Sequence, residues 1–185
     1  MISKDSFNKF RPQIGLPVVT CLAAFFIATF DNRTPAAFKV FLPECSIDNV
    51  QDCSQQEIVN AYDNTIVYTD YVLSKVIELL AAQDIPGAMF YVSDHGESLG
   101  ENGIYLHGLP YALAPAEQTS VPMLFWESDS FLAQKEIDLA ALQSHRHISY
   151  SHDNTFHSML GLFGVKTGAY HPGPDLFAGS RQRHG

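Results

Sequence analysis

The sequence predicts an α/β domain in which helices layer onto a sheet, and three observations carry that reading. A helical apolar stripe runs over residues 54–83 behind a capping box. A short apolar run, Ala88 to Val92, follows it after the turn residues Asp84 to Gly87. A second such run, Val121 to Trp126, comes after a proline-punctuated loop. Helix, strand, loop and strand in this order fit a layered α/β domain.

The chain's 185 residues are enough for one domain with a sizeable core. Hydrophobic residues make up 46% and charged residues 17%, the balance of a folded protein rather than a disordered one. The net charge of −9 argues against a general nucleic-acid binder, whose affinity comes from Lys and Arg on phosphates. A phosphate-bearing substrate remains open, because a bound metal supplies positive charge locally. No repeat or low-complexity tract interrupts the chain.

Taken in order, residues 1–31 place Lys4, Lys9 and Arg11 before an apolar stretch from Leu16 to Phe30. That is the outline of a signal peptide, yet the stretch is short for a membrane span and contains Pro17. A buried strand and translated sequence that belongs to no fold are the competing readings. Residues 32–53 read as irregular, with Pro35 and Pro43 discouraging regular structure. Cys45 and Cys53 flank a short polar loop whose spacing permits a disulfide or two free thiols; Cys21 is left odd.

Ser54 and Glu57 start the helix over 54–83 as a capping box. Ile58, Tyr62, Ile66, Val72, Val76, Leu79 and Leu80 keep its apolar stripe. Asp63, Asn64 and Asp70 interrupt it and read as a solvated face. After the strand at 88–92 and its polar loop, Pro110 and Pro115 mark another loop over 109–120. Pro122 suits the first position or edge of the strand over 121–126. Residues 129–149 read as a surface helix in which His145 and His147 face different sides. In the last helix, over 150–163, Ser151 or Asp153 is the candidate cap, and Gly161 and Gly164 close it. His152 and Asp153 either cap or line a site. The tail after Gly168 is rich in Pro and Gly.

The chemistry concentrates in Tyr91-Val92-Ser93-Asp94-His95-Gly96-Glu97-Ser98-Leu99-Gly100-Glu101-Asn102-Gly103-Ile104-Tyr105-Leu106-His107-Gly108. Asp94 and His95 sit at the carboxyl end of a buried strand, where open α/β sheets bind ligands. If the chain turns at Gly96, both side chains reach one point. Carboxylate oxygen and imidazole nitrogen are good zinc ligands. Glu97, Glu101 and His107 add polar groups, and Gly100, Gly103 and Gly108 let the loop fold back. The bland alternative is a turn with a satisfied Asp-His hydrogen bond.

This stretch resembles the signature of the lipid A phosphoethanolamine transferases, inner-membrane enzymes with a periplasmic domain of the alkaline phosphatase/sulfatase fold. Asn60 to Leu73, Pro110 to Trp126 and Tyr150 to Asn154 are similar to further family segments. The resemblance covers about residues 32–177. It divides the chain into a non-matching segment, 1–31, and a C-terminal part of the catalytic domain, 32–185. It favours a frameshifted or deleted origin for residues 1–31, which lack the family's upstream histidine loop. The fold it implies is a partial sulfatase-like domain, a mixed sheet with helices on its faces.

The resemblance further implies a zinc site to which Asp94 and His95 contribute. It places His107 near the transferred phosphoryl group as a catalytic residue and leaves Glu97 as a support for His95 or as loop surface. It implies a cystine between Cys45 and Cys53, hence an oxidising compartment. The family moves phosphoethanolamine from phosphatidylethanolamine to lipid A through a threonine intermediate. The family places that threonine, a first acidic ligand and its membrane spans upstream. Thr34 and Thr65 do not stand in the nucleophile's context, so the sequence predicts no nucleophile, weak zinc binding and no transfer by this chain alone. Two alternatives stand beside that reading: a soluble metal-dependent phosphatase or sulfatase of the same superfamily, and a non-catalytic remnant.

Overall fold

A computed structural model describes residues 18–22, 34–46 and 49–181. Most of residues 1–31 lie outside the described residues, including the apolar run beyond residue 22. Within that segment residues Val18–Leu22 form a strand, β1. The described chain continues through the long helix α1 (Gln55–Ala81), strand β2 (Gly87–Val92), a hairpin of β3 (Ser98–Leu99) and β4 (Tyr105–Leu106), helix α2 (Ala116–Thr119) and strand β5 (Met123–Glu127). It ends in helices α3 (Asp129–Lys135), α4 (Leu139–Ser144) and α5 (Asp153–Phe163). Strands β1, β2 and β5 make one sheet in the order β1-β2-β5, and β3 pairs with β4 in another.

The chain divides into two compact units. The one that contains α1 and the loop after β2 is built on α1. Ser54 caps the helix as the sequence predicts: its hydroxyl accepts from Glu57 N, and the Glu57 carboxylate accepts from Ser54 N at 2.8 Å. One stretch of α1 packs Leu73 and Leu80 with Met89 and Tyr91 of β2, and Val76, Ile77 and Trp126 close around them. The other end packs Ile58 and Ala61 with Cys45 and Val50, covered by Cys53, Leu99 and Tyr105. A disulfide joins Cys45 to Cys53. All six residues of β2 are buried, and each large side chain there contributes about 1.5–3 kcal/mol relative to exposure. The strand that leads into the polar loop is therefore a rigid base for it.

The polar interruption of α1 is not a solvated face throughout. Asn64 is fully buried. Its Oδ1 accepts from Val40 N and Phe41 N, both at 2.9 Å, and its Nδ2 donates to Phe41 O and to the Glu44 carboxylate at 3.0 Å. Asn60 Nδ2 donates to Pro43 O at 2.7 Å. These amides satisfy backbone groups of Val40, Phe41 and Pro43, which lie between the short 3-10 turns Ala36–Phe38 and Val50–Asp52.

In the other unit the single helix expected over 129–149 is two helices and a 3-10 turn. Glu136, at φ 53°, ends α3 in the left-handed region, and Asp138 caps α4 through Ala140 N and Ala141 N. The cap of α5 also differs from expectation. The N-cap position is held by His152 and has no side-chain cap hydrogen bond; Asn154 Oδ1 accepts from Ser151 N at 2.8 Å. Gly164, at φ 67°, closes the helix. The tail is not loose: Phe177 and Asp175 are buried, and Asp138 N donates to Ser180 O at 2.7 Å.

Candidate metal centre

The polar loop leaves β2 at Val92 and is fixed within a few residues. Ser93 N donates to Pro122 O at 3.3 Å, tying the end of β2 to the entry of β5. Gly96 N donates to Gln118 O at 3.0 Å. A Cβ at residue 96 would lie 2.0 Å from Glu117 O, so only glycine admits this approach to α2. Gln118 holds the loop a second time: its Nε2 donates to the buried Ser98 Oγ at 2.9 Å. Gln55, at the start of α1, donates to Leu99 O at 2.8 Å.

The hairpin then returns the chain. Ser98 pairs with Leu106 and Leu99 with Tyr105. Its tip turns through positive φ at Gly100, Asn102 and Gly103. Glu101 Oε2 accepts from Leu99 N at 2.7 Å, so this acid braces the tip. Leu106 stands at φ 62°, a conformation costing a non-glycine residue about 1–2 kcal/mol. That strained residue delivers His107 back beside Glu97.

Two acid–imidazole pairs result. Asp94 Oδ1 accepts from His95 N at 3.1 Å, which leaves Oδ2 facing His95 Nε2 at 3.7 Å. His95 Nδ1 lies 3.0 Å from Gly96 O. A carbonyl only accepts, so Nδ1 carries the proton and Nε2 keeps its lone pair in the neutral ring. In the second pair His107 Nδ1 donates to Glu97 Oε1 at 2.8 Å. The two imidazoles stack with centroids 3.9 Å apart. Ligand atoms of His95, Glu97 and His107 lie within 4.8 Å of one another, a donor cluster able to hold a metal ion.

The Glu97 side chain is only 2% exposed. Burial pushes its carboxyl above the ordinary value, against the opposing pull of the His107 hydrogen bond and of the two imidazoles. Its Oε2 is buried and has no hydrogen-bond partner. A buried carboxylate oxygen without a donor fits a position next to a cation. The Tyr62 phenol on α1 is raised, first by burial and then by the Glu97 charge.

Of the residues singled out in the sequence, Asp94, His95, Glu97 and His107 come together in this loop. Glu101 serves the hairpin. His145 Nδ1 instead contacts Leu176 O at 3.3 Å, and His157 accepts from His171 N at 3.2 Å. Gln118, Ser98 and Tyr62 escaped sequence reasoning; only the step from Pro115 into a short helical turn marks the place of Gln118.

The chain is similar to known proteins over most of its length. The family model described as Sulfatase matches residues 24–165. The phosphoethanolamine transferase EptA of Salmonella typhimurium is 47% identical over 157 residues, covering 83% of this chain and 29% of the relative. The integral membrane protein lipooligosaccharide phosphoethanolamine transferase A from Neisseria meningitidis superposes with a TM-score of 0.77 at 40% identity, over 80% of this chain and 28% of that one. The C-terminal periplasmic domain of phosphoethanolamine transferase EptC from Campylobacter jejuni gives 0.75 at 44% identity, over 85% of this chain and 50% of that one. The chain thus spans under a third of the full-length relatives and about half of the solved periplasmic domain. Among the described residues no helix is long and apolar enough to cross a membrane. The chain belongs to the sulfatase family, and over most of its length it is similar to part of the phosphoethanolamine transferases of that family.

Proposed function

We propose that this chain carries the metal loop of a zinc-dependent phosphoethanolamine transferase, which moves phosphoethanolamine from phosphatidylethanolamine to lipid A through a threonine intermediate. The observation that carries the proposal is the arrangement of two pairs: Asp94 Oδ2 facing the unprotonated His95 Nε2, and Glu97 bonded to His107 beside them. Asp94 and His95 would hold the ion. Their 3.7 Å separation is near the ~3.4 Å between two ligands about 2.1 Å from a tetrahedral zinc. Backbone donation from Nδ1 is the usual way a protein orients a metal-binding imidazole. A zinc ion held there by Asp94 and His95 would supply Lewis acidity toward a phosphoryl oxygen and a hydroxyl nucleophile.

The chain's own groups do the rest. Glu97 holds His107 Nδ1 and so presents Nε2 away from itself. From there Nε2 either donates to a phosphoryl oxygen or takes a proton from an attacking hydroxyl. Thr65 and Thr69 are not offered as nucleophiles: their hydroxyls donate to Tyr62 O at 2.7 Å and Thr65 O at 2.9 Å. With two protein ligands where catalytic zinc usually has three, the chain alone binds zinc weakly and does not complete the transfer. We carry over the setting of the relatives for the intact protein: a periplasmic domain acting on lipids of the inner membrane.

Equilibrium dialysis against zinc tests the assignment. Asp94→Ala and His95→Ala are each expected to weaken binding at least tenfold, and His107→Ala less than threefold. Loss of zinc in His107→Ala with retention in Asp94→Ala would move the ion to the His95, Glu97 and His107 cluster and overturn the assignment. Release of phosphate or sulfate from a chromogenic ester by the chain, abolished in Asp94→Ala, would establish the hydrolase reading instead.

A further inference from the structure

Beyond His107 the chain runs through a loop that the proposed chemistry does not use. Every residue from 106 to 113 is exposed. Tyr111 is 87% exposed and Leu113 71%, with Leu106 and Leu109 also open to solvent. Residues 102–116 contain no Asp, Glu, Lys or Arg, in a chain whose net charge is −9. An apolar, uncharged tip of this kind marks an interaction surface.

Two backbone amides at the tip are satisfied within it. Leu113 N and Ala114 N both donate to Pro110 O, at 2.7 and 3.0 Å. Pro110 and Pro115 have no N–H to satisfy. A segment that enters a bilayer must satisfy its backbone internally, because lipid offers no donors or acceptors in place of water. Tyrosine suits the headgroup level, where one end of the ring is wet and the other apolar. An acidic protein is repelled by anionic lipid surfaces, which leaves an uncharged protrusion as the favourable point of approach. Tyr111 follows His107 by four residues, a reach of at most about 14 Å.

We propose that the loop Leu106 to Leu113 is a lipid-docking tip, with Tyr111 and Leu113 entering the boundary between headgroups and acyl chains and holding His107 at headgroup depth. The inference rests on the lipid substrate proposed above and adds how that substrate is approached.

Flotation of the full chain with neutral vesicles of phosphatidylcholine and phosphatidylethanolamine, in zinc-free buffer, tests it. The double variant Tyr111→Ser/Leu113→Ser is expected to lose at least tenfold in vesicle partitioning, little changed by salt. Phe156→Ser, at an exposed aromatic on α5, should stay within twofold of the unaltered chain. Tyr111→Trp, after subtraction of the Trp126 signal, should shift its emission to the blue when vesicles are added. Three results would each overturn the proposal: no vesicle binding by the unaltered chain, equal binding by the double variant, or an unshifted tryptophan. Concentration-dependent self-association that vanishes in the double variant would also overturn it, by assigning the tip to a second copy. Zinc dialysis on the same samples separates the two readings. Docking lost with zinc retained confines the effect to the tip, while docking retained in a chain that binds no zinc refutes the site and not the tip.

Discussion

Two buried carboxylates in this chain are treated in opposite ways. Asp175, whose side chain is 0% exposed, is partnered on both oxygens: its Oδ1 accepts from Phe177 N at 2.9 Å, its Oδ2 accepts from Tyr170 Oη at 2.8 Å, and Arg181 Nη2 stands 3.0 Å from Oδ2 as an ion pair without hydrogen-bond geometry. Glu97 has one hydrogen-bond partner, His107, on Oε1, with His95 Nδ1 3.9 Å from the same oxygen, and leaves Oε2 buried and bare. The first arrangement is what a structural carboxylate needs, since a buried charge is tolerated only when paired and hydrogen-bonded. The second is incomplete as a structural device and makes sense as one side of a ligand site. The difference separates a group that holds the tail in place from one that we propose orients His107 beside the ion site.

The sharpest way to break this contrast is to remove each carboxylate's role in turn. Asp175→Ala leaves Arg181 and the Tyr170 hydroxyl without their partner and is expected to cost about 3 kcal/mol, read by urea unfolding. A loss below about 1 kcal/mol would deny Asp175 its structural role. Two glycines should then split by function. A Cβ at Gly161 would meet Asp175 Oδ2 at 2.1 Å, and one at Gly96 would meet Glu117 O at 2.0 Å. Either substitution to Ala is expected to cost about 1–3 kcal/mol by overpacking, but only Gly96→Ala should also weaken zinc binding in dialysis.

Glu97→Gln is expected to change unfolding free energy by less than about 1 kcal/mol, because it removes a burial cost along with a hydrogen bond to a charged group. A loss as large as that of Asp175→Ala would make Glu97 structural. The smallest effect concerns Glu127, whose carboxyl is raised above 4.5, first by burial and then by the Asp129 charge. A raised acid binds its proton more tightly in the folded state. Its contribution is therefore full below about pH 4.5 and is lost as pH rises through the folded value. Glu127→Gln should flatten that fall in stability as pH rises above about 4.5, measured by unfolding across pH.

What was legible in the sequence was local or periodic. The capping box of Ser54 and Glu57, the stripe of α1 and the apolar run of β2 each announce themselves within a few residues. Asn64 did not, because its partners lie more than twenty residues away, at Val40, Phe41 and Glu44, and a polar residue on a helix reads as solvated without them. The break at Glu136 was hidden because a left-handed conformation at a non-glycine residue has no composition signal. Asp175 lay in a tail rich in Pro and Gly, where no period marks burial. In the loop, residue types named Asp94, His95, Glu97 and His107. Only the hairpin of β3 and β4 says which acid faces which imidazole, and it assigns Glu97 to His107 and Glu101 to the turn.

We propose that Asp94 and His95 form the cation end of this loop, with Glu97 and His107 beside it. A crystal of the chain soaked in zinc, with anomalous scattering recorded at the zinc edge, tests it most directly. One strong peak is expected within bonding distance, about 2.0–2.2 Å, of His95 Nε2 and of an Asp94 carboxylate oxygen. A peak bound by His157 and His171, or one on Glu97 and His107 that leaves Asp94 untouched, would contradict it.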